Sequence, residues 1–194
     1  MTSAKDLKKQ LRSQALARRD SLDPSWRAMM SQQMAAAADG IALNPGCIVS
    51  GFWPIRSEVD VRPLMLALGH RGARLCLPAI LDRTTIVFRE MIADAPLVDM
   101  GFGTLGPPES AAVLDPSVML VPLAAFDARG HRIGYGAGHY DRAIARLNAS
   151  GRTPRLIGIA FDCQEVERVP DEPHDVVIPE ILTESGLRRF GPSL

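Results

Sequence analysis

The chain carries no surplus of charge of either sign: lysine plus arginine and aspartate plus glutamate number 22 each in 194 residues. This balance excludes a general electrostatic pull on nucleic acid or on an anionic membrane, so any anion site must be built locally. Cysteine is scarce. Cys47, Cys76 and Cys163 are odd in number, widely spaced and set in apolar stretches, without a Cys-x-x-Cys pair. They read as reduced, buried thiols rather than as a disulfide framework or a zinc site. No apolar run is long enough to span a bilayer. The opening residues, MTSAKDLKKQLR, lack the apolar core of a secretory signal. The expected compartment is therefore the cytoplasm. There is no internal repeat, and no Gly-x-Ser-x-Gly elbow to supply a serine nucleophile.

What is present is enough apolar residue, 46% of the chain, to bury a core without staples. Length suits one domain, or one domain with a small appendage; the reading taken is one domain over residues 1–194, with residues 1–40 as a helical pair packed on an α/β core. Leu7, Leu11 and Ala15 recur at helical spacing, and the opposite face carries Lys5, Lys8, Lys9 and Arg12. A second helix starts at Asp23-Pro24, an N-cap followed by proline at the first helical position, and runs through Ala35 to Ala38 towards Gly40. Residues 47–53, 74–77, 85–91, 118–121 and 156–161 read as strands, with helices expected over 61–68 and 140–147. Residues 94–116, rich in glycine and proline, read as a long surface loop, and 176–178 as a short last strand. Apolar strands alternating with helices predict an α/β fold with a mainly parallel sheet. Ligands of such sheets sit beyond the C-terminal strand ends.

One segment stands out, FDARGHRIGYGAGHYDR over residues 126–142. A buried strand leads into it and a helix leaves it. Gly134, Gly136 and Gly138 alternate, which allows tight turning and close approach of a ligand. A glycine loop feeding a helix offers unpaired N–H groups and a positive dipole end, both suited to phosphate. Arg132 and Arg142 flank the loop and add charge-assisted donors. The spacing is neither the Walker A loop nor the dinucleotide fingerprint. Asp141, in the first helical turn, suits a magnesium ion held against phosphates, or alternatively ordinary stabilisation of a helix start.

This stretch resembles the hallmark of the 5-formyltetrahydrofolate cyclo-ligases, also called methenyltetrahydrofolate synthetases: Phe-Asp, a short turn, Arg-aliphatic-Gly-x-Gly-x-Gly, then aromatic-Tyr-Asp-Arg. His139 stands where many members carry tyrosine, and Tyr135 occupies a variable slot often filled by arginine. Further segments resemble the family in the same order: KKQLR (residues 8–12), GFWPIRSEVDVRPL (51–64), LCLPAI (75–80), IVFREM (86–91), FGTLGPP (102–108) and RLIGIAFDCQEVERVPDEPHDVVIP (155–179).

The resemblance implies a three-layer sandwich like that of sugar-phosphate isomerases and CoA transferases, and a single cyclo-ligase domain over 1–194. It implies that ATP is held by Lys8 and Arg12 from the first helix, by Arg132, and by the loop Gly134, Tyr135, Gly136, Ala137, Gly138, His139 and Tyr140. Lys8 and Arg12 lie four apart and so share a helical face; without the family, a solvated basic face would be the plainer reading. Mg²⁺ is implied at Asp141 and Asp175. His174 invites a transition-metal reading, but no second histidine or cysteine accompanies it at ligand spacing. The reduced folate is implied at Glu58, Trp53 and Tyr140. A carboxylate suits the donors on a pterin edge, and an indole suits its flat face. Arg89 is a candidate partner for a folate glutamate tail, or an ordinary strand arginine.

The implied reaction is ATP-dependent closure of 5-formyltetrahydrofolate to 5,10-methenyltetrahydrofolate, with ADP and phosphate released. The formyl oxygen is phosphorylated, and Lys8 and Arg132 neutralise developing charge. Two alternatives stay open: a non-catalytic folate or nucleotide binder, and a sugar-phosphate isomerase-like enzyme on a similar sheet. The expected partners are small molecules, without nucleic acid or membrane, in a monomer or homodimer.

Overall fold

The computed structural model describes residues 3–101, 103–172 and 175–191. In chain order its elements begin with α1 (Ala4–Asp20), α2 (Pro24–Met34), a 3-10 segment (Ala35–Gly40), β1 (Ile48–Ser50) and α3 (Arg62–His70). They continue with β2 (Arg74–Ile80), β3 (Ile86–Glu90), β4 (Val98–Gly101), β5 (Thr104–Gly106), β6 (Val113–Leu114), β7 (Val118–Pro122), β8 (Ala125–Phe126) and β9 (Arg132–Ile133). The last are α4 (His139–Ala149), β10 (Arg155–Ile159), a 3-10 turn (Asp162–Gln164), β11 (Glu180–Thr183) and β12 (Gly186–Arg189).

An eight-stranded sheet in the order β12-β11-β10-β7-β1-β2-β3-β6 forms the middle layer. The five strands from β11 to β2 run parallel. Antiparallel strands close both edges: β12 beyond β11, and β3 then β6 beyond β2. The central strands are apolar throughout because both their faces are covered. Along β7, Val118 and Leu120 enter one core cluster, while Met119 and Val121 enter the other. The first cluster is completed by Leu64, Met65 and Leu68 of α3 with Trp26, Met30 and Met34 of α2. Ala143, Ile144 and Leu147 of α4 complete the second. The expected three-layer α/β arrangement is thus observed.

Asp23 caps α2 as anticipated, accepting from the amides of Ser25 (2.9 Å) and Trp26 (3.0 Å), with Pro24 at the first position. Past Met34 the helix tightens to 3-10 geometry rather than continuing as α-helix to Gly40. α1 and α2 pack on different parts of the core. α1 lies on the β8–β9 hairpin and the 162–164 turn, whereas α2 lies beside α3. Leu7 is exposed, so the apolar stripe read from Leu7 to Ala15 is not the buried face at its start. The inward face of α1 carries Lys8, Arg12, Ala15 and Arg19.

Three further expectations are corrected. Residues 94–116 are not one loop. They hold the β4–β5 hairpin, turned at Gly101 (φ +82°) and Gly103 (φ +77°), and the edge strand β6. Residues 176–178 make no strand. Ile178 is fully buried, but its amide donates to the carbonyl of Gly130 (2.8 Å) instead of to a ladder; the last strands are β11 and β12. The segment leading to the glycine loop contains a hairpin, β8–β9, that the glycine and proline pattern did not reveal.

Asp127 holds that hairpin. Its fully buried carboxylate accepts from the amides of Arg129 (2.9 Å), His131 (3.2 Å) and Val169 (2.9 Å) and from the Arg129 guanidinium (2.8 Å). Burial alone would raise the Asp127 pKa. The hydrogen bonds from Val169 and Arg129 outweigh it and hold the carboxyl below its ordinary value. A depressed folded pKa means the stabilisation is present above the unfolded pKa and is lost as pH falls through the folded one. Asp127→Ala should therefore cost about 3 kcal/mol at neutral pH. The deficit should shrink below about pH 4, which denaturant titrations of both proteins at several pH values will measure.

Candidate active site

A cleft of about 690 Å³ opens at the C-terminal ends of the parallel strands. Phe52 and Trp53 follow β1 at its edge, Pro78 and Ile80 come from β2, and Pro122 ends β7. Opposite this apolar wall lies the whole glycine loop, residues 134–138, running into α4. The β4–β5 hairpin contributes Met100, Thr104 and Leu105 at the rim.

The loop's shape depends on glycine at two positions. Gly136 (φ +100°) and Gly138 (φ +67°) are left-handed, and Gly138 is the residue immediately before α4. Gly134 has no positive φ, and a side chain there would meet no atom within 4 Å. Its carbonyl is instead the loop's anchor, accepting from Arg12 Nε at 2.7 Å. Arg142 holds the other end, donating to the carbonyls of Ala137 (2.6 Å) and Thr84 (2.6 Å). His139 Nε2 lies 3.1 Å from the carbonyl of Arg83.

Lys8, Arg132, Asp141 and Asp175 meet in the cleft, with Glu172 beside it. Lys8 Nζ pairs with Asp175 Oδ2 at 2.6 Å and with Glu172 Oε2 at 2.8 Å. Burial alone would lower the Lys8 pKa, but the hydrogen bonds to Asp175 and Glu172 win and raise it above the ordinary value. The buried guanidinium of Arg132 pairs with Asp141 Oδ1 at 3.0 Å and donates to the carbonyl of Val176 at 3.2 Å. Burial lowers the Arg132 pKa, opposed by Asp141 and then Asp175. Arginine nonetheless keeps its charge at neutral pH. Asp175 arrives from a segment far along the chain, clamped to the hairpin turn at Gly130. A side chain at Gly130 would stand 2.4 Å from the carbonyl oxygen of Ile178.

Lys8, Arg12, Arg132, the loop residues, His139, Tyr140, Asp141, Asp175 and Trp53 all line this one cleft. The hydroxyl of Tyr140 is buried there without a hydrogen-bond partner among the described residues. Burial pushes its phenol well above the ordinary value, so it stays an O–H donor. The Trp53 ring carries the Arg62 guanidinium 5.0 Å from its centroid. Glu58 is placed differently. It stands outside the cleft lining, where its carboxylate accepts from the amide of Ile55 (2.8 Å). Burial raises its pKa, opposed first by Tyr135. Arg89 is turned away, donating to the carbonyls of Glu109 and Ala111. His174 lies outside the described residues, as does Phe102 of the Gly-Pro segment.

Arg19 was not anticipated. It is the largest fully buried side chain, 1% exposed, bonded to Ser57 Oγ (2.9 Å) and to the Tyr135 hydroxyl (2.7 Å). The available signal was its place on the same helical face as Lys8 and Arg12, eleven and seven residues on.

The sequence model of the 5-formyltetrahydrofolate cyclo-ligase family matches residues 4–184. The chain belongs to this family of ligases. The cyclo-ligase of Escherichia coli (strain K12) is 30% identical over 178 residues, covering 87% of this chain and 95% of that protein. The cyclo-ligase of Mycolicibacterium smegmatis is 29% identical over 184 residues, 91% of this chain and 93% of that one. The NMR structure of the Aquifex aeolicus 5,10-methenyltetrahydrofolate synthetase superposes with a TM-score of 0.78 at 27% identity, over 97% of this chain and 96% of that one. The Mycoplasma pneumoniae synthetase, at 23% identity and a TM-score of 0.70 over 90% and 96% of the two chains, shares the fold. No helix among the described residues is long and apolar enough to cross a membrane.

The glycine loop is tethered to α1 by Arg12, which holds its backbone at the carbonyl of Gly134, and by Arg19, which holds the Tyr135 hydroxyl. Arg12→Ala should speed amide exchange at residues 134–138 about tenfold while leaving the sheet protected. Hydrogen-exchange mass spectrometry will resolve the two regions.

Proposed function

We propose that this protein closes 5-formyltetrahydrofolate to 5,10-methenyltetrahydrofolate with ATP, releasing ADP and phosphate. The observation that carries this reading is the convergence of the glycine loop, Lys8, Arg132, Asp141 and Asp175 in one cleft with an apolar wall. The loop, with Lys8, Arg12 and Arg132, suits a triphosphate; Phe52, Trp53 and Tyr140 suit a flat ring system beside it. The family match over residues 4–184 supports reading the chain as one cyclo-ligase domain.

The donor set also fits magnesium. Among the described residues no group of three or more His, Cys, Asp or Glu could hold a metal by itself. Two carboxylates on one cleft floor match a hard ion that takes its remaining ligands from phosphate oxygens and water. Asp141 and Asp175 would hold it, and its charge would offset that of the phosphates. Before nucleotide arrives, each carboxylate is matched by a cation, Asp141 by Arg132 and Asp175 by Lys8. The same cations then serve the phosphates.

In the reaction the formyl oxygen on N5 attacks the γ-phosphorus and ADP leaves. N10 then attacks the activated carbon, the ring closes and phosphate departs. The protein's own work is alignment and charge neutralisation. The loop amides and Arg12 fix the phosphate chain, and Lys8 and Arg132 face the transferred group. Trp53 and Tyr140 position the folate in the cleft; Glu58, the pterin acceptor implied by the family resemblance, stands outside the cleft lining and would have to be reached from its edge beside Trp53. No side chain acts as a nucleophile. The unpaired thiols Cys47, Cys76 and Cys163 fit a reducing cytoplasm.

Mixing the protein with ATP, Mg²⁺ and 5-formyltetrahydrofolate should generate the methenyl absorbance. A folded protein that yields none would be a binder rather than an enzyme. Asp141→Asn should lower kcat/KM at least about a hundredfold and raise the magnesium needed for half-maximal rate. Unchanged kinetics would remove Asp141 from the site. Glu58→Ala should raise the KM for folate far more than that for ATP, as initial-rate measurements with each substrate varied will tell.

A further inference from the structure

Arg19 leaves α1 between two segments of the candidate site and is bonded to both. Its guanidinium donates through Nε to Ser57 Oγ at 2.9 Å and through Nη1 to the Tyr135 hydroxyl at 2.7 Å. The guanidinium carbon also lies 6.0 Å from the centroid of the Tyr135 ring. A guanidinium only donates, so both hydroxyls accept from it. Ser57 gives its own proton to Asp20, the next residue of α1, which keeps its oxygen turned towards Arg19. Arg19 and Ser57 are both buried, so the fork is shielded from competing water.

The two ends of this fork serve different substrates. Tyr135 lies between Gly134 and Gly136, on the loop that would hold the triphosphate. Ser57 lies on the 55–58 turn, which continues from Phe52 and Trp53 of the apolar wall and carries Glu58. That turn is tightly wound. The Glu58 amide donates to the Ile55 carbonyl at 3.1 Å, and the Ile55 amide donates to the Glu58 carboxylate at 2.8 Å. Between them Arg56 has φ +55°, a left-handed conformation that L side chains seldom adopt. Such a conformation persists where the surroundings over-determine it, and the bond from Arg19 to the next residue is part of those surroundings.

We propose that Arg19 is a positioning residue that couples the two substrates: by gripping Tyr135 and Ser57 together, it lets nucleotide on the glycine loop pre-order the turn beside the folate wall. This role rests on the cyclo-ligase reading above. A ligand that settles the loop settles Tyr135, and with it the guanidinium that Ser57 shares. Folate then orders a turn that has less freedom left to lose. Each substrate binds more tightly when the other is present, and by the same factor.

Equilibrium binding of 5-formyltetrahydrofolate, with and without the β,γ-imido analogue of ATP and Mg²⁺, measures that factor. In the wild type the analogue should tighten folate binding about tenfold, and hydrogen exchange at residues 55–58 should slow when it binds. Ser57→Ala and Tyr135→Phe each cut one arm of the fork and leave Arg19 in place. Either should bring the factor below about twofold and abolish the analogue's effect on exchange at 55–58. Arg19→Lys, which keeps the charge but not the fork, should do the same, and the double variant Ser57→Ala/Tyr135→Phe should lower the factor no further. A change that only loosened the fold would weaken folate binding equally with and without the analogue. Variants that keep the tenfold factor, or a wild type that turns over yet shows none, would overturn the coupling. A wild type that makes no methenyl product would instead sink the cyclo-ligase reading, which the binding ratio does not test.

Discussion

The structure depends on the inward face of α1 being cationic rather than apolar. Lys8, Arg12 and Arg19 lie along it at helical spacing, and each grips a different part of the cleft. Lys8 holds the tail segment through Asp175, Arg12 holds the glycine loop through the carbonyl of Gly134, and Arg19 holds Tyr135 and Ser57. Only a small patch around Ala15 packs in the ordinary hydrophobic way, against Ala125, Ile133 and Val169. A helix secured by charge and hydrogen bonds, not by a greasy stripe, can present two cations, Lys8 and Arg12, to a ligand site and still have a defined place.

That arrangement suits a site that must receive a highly charged ligand. Partly buried ion pairs are close to break-even, because the loss of hydration offsets most of the attraction. The pairs Lys8–Asp175 and Arg132–Asp141 keep the floor of the cleft neutral without making it rigidly closed. Under the proposed function, phosphate oxygens and a divalent ion would supply the same complementary charges, and exchanging one set of partners for the other would need little net free energy. Asp127 is the contrasting case. It is an acid of the same motif, but five hydrogen bonds from Arg129, His131 and Val169 commit it to the hairpin. Its work is to aim Arg132 and the loop.

Much of this was legible in the residues. The runs at 118–121 and 156–161 announced strands covered on both faces, Asp23-Pro24 announced a helix start, and the alternating glycines with Asp141 announced the cleft. What escaped did so for identifiable reasons. The β8–β9 hairpin is two residues to a strand, too short for any alternation to register. The tail at 176–178 is apolar because Ile178 is buried, and burial by itself does not distinguish a strand from a coil held by one backbone bond to Gly130. Leu7 drew attention to the wrong face of α1, since an exposed leucine and a buried one look alike in a helical stripe.

The sequence by itself determined the α/β class with its mainly parallel sheet and the glycine loop, because periodicity, capping and turn chemistry are local; the distant charges Lys8, Arg12 and Asp175 were implied only by the family resemblance. Only the tertiary structure decided how those charges are paired. It brought Asp175 beneath Lys8 across more than half the chain, buried Arg19 on the inner face of α1, and set Glu58 outside the cleft lining. Such pairings depend on which distant segments the sheet order brings into contact, and a buried charge must find its partner there or not be buried at all.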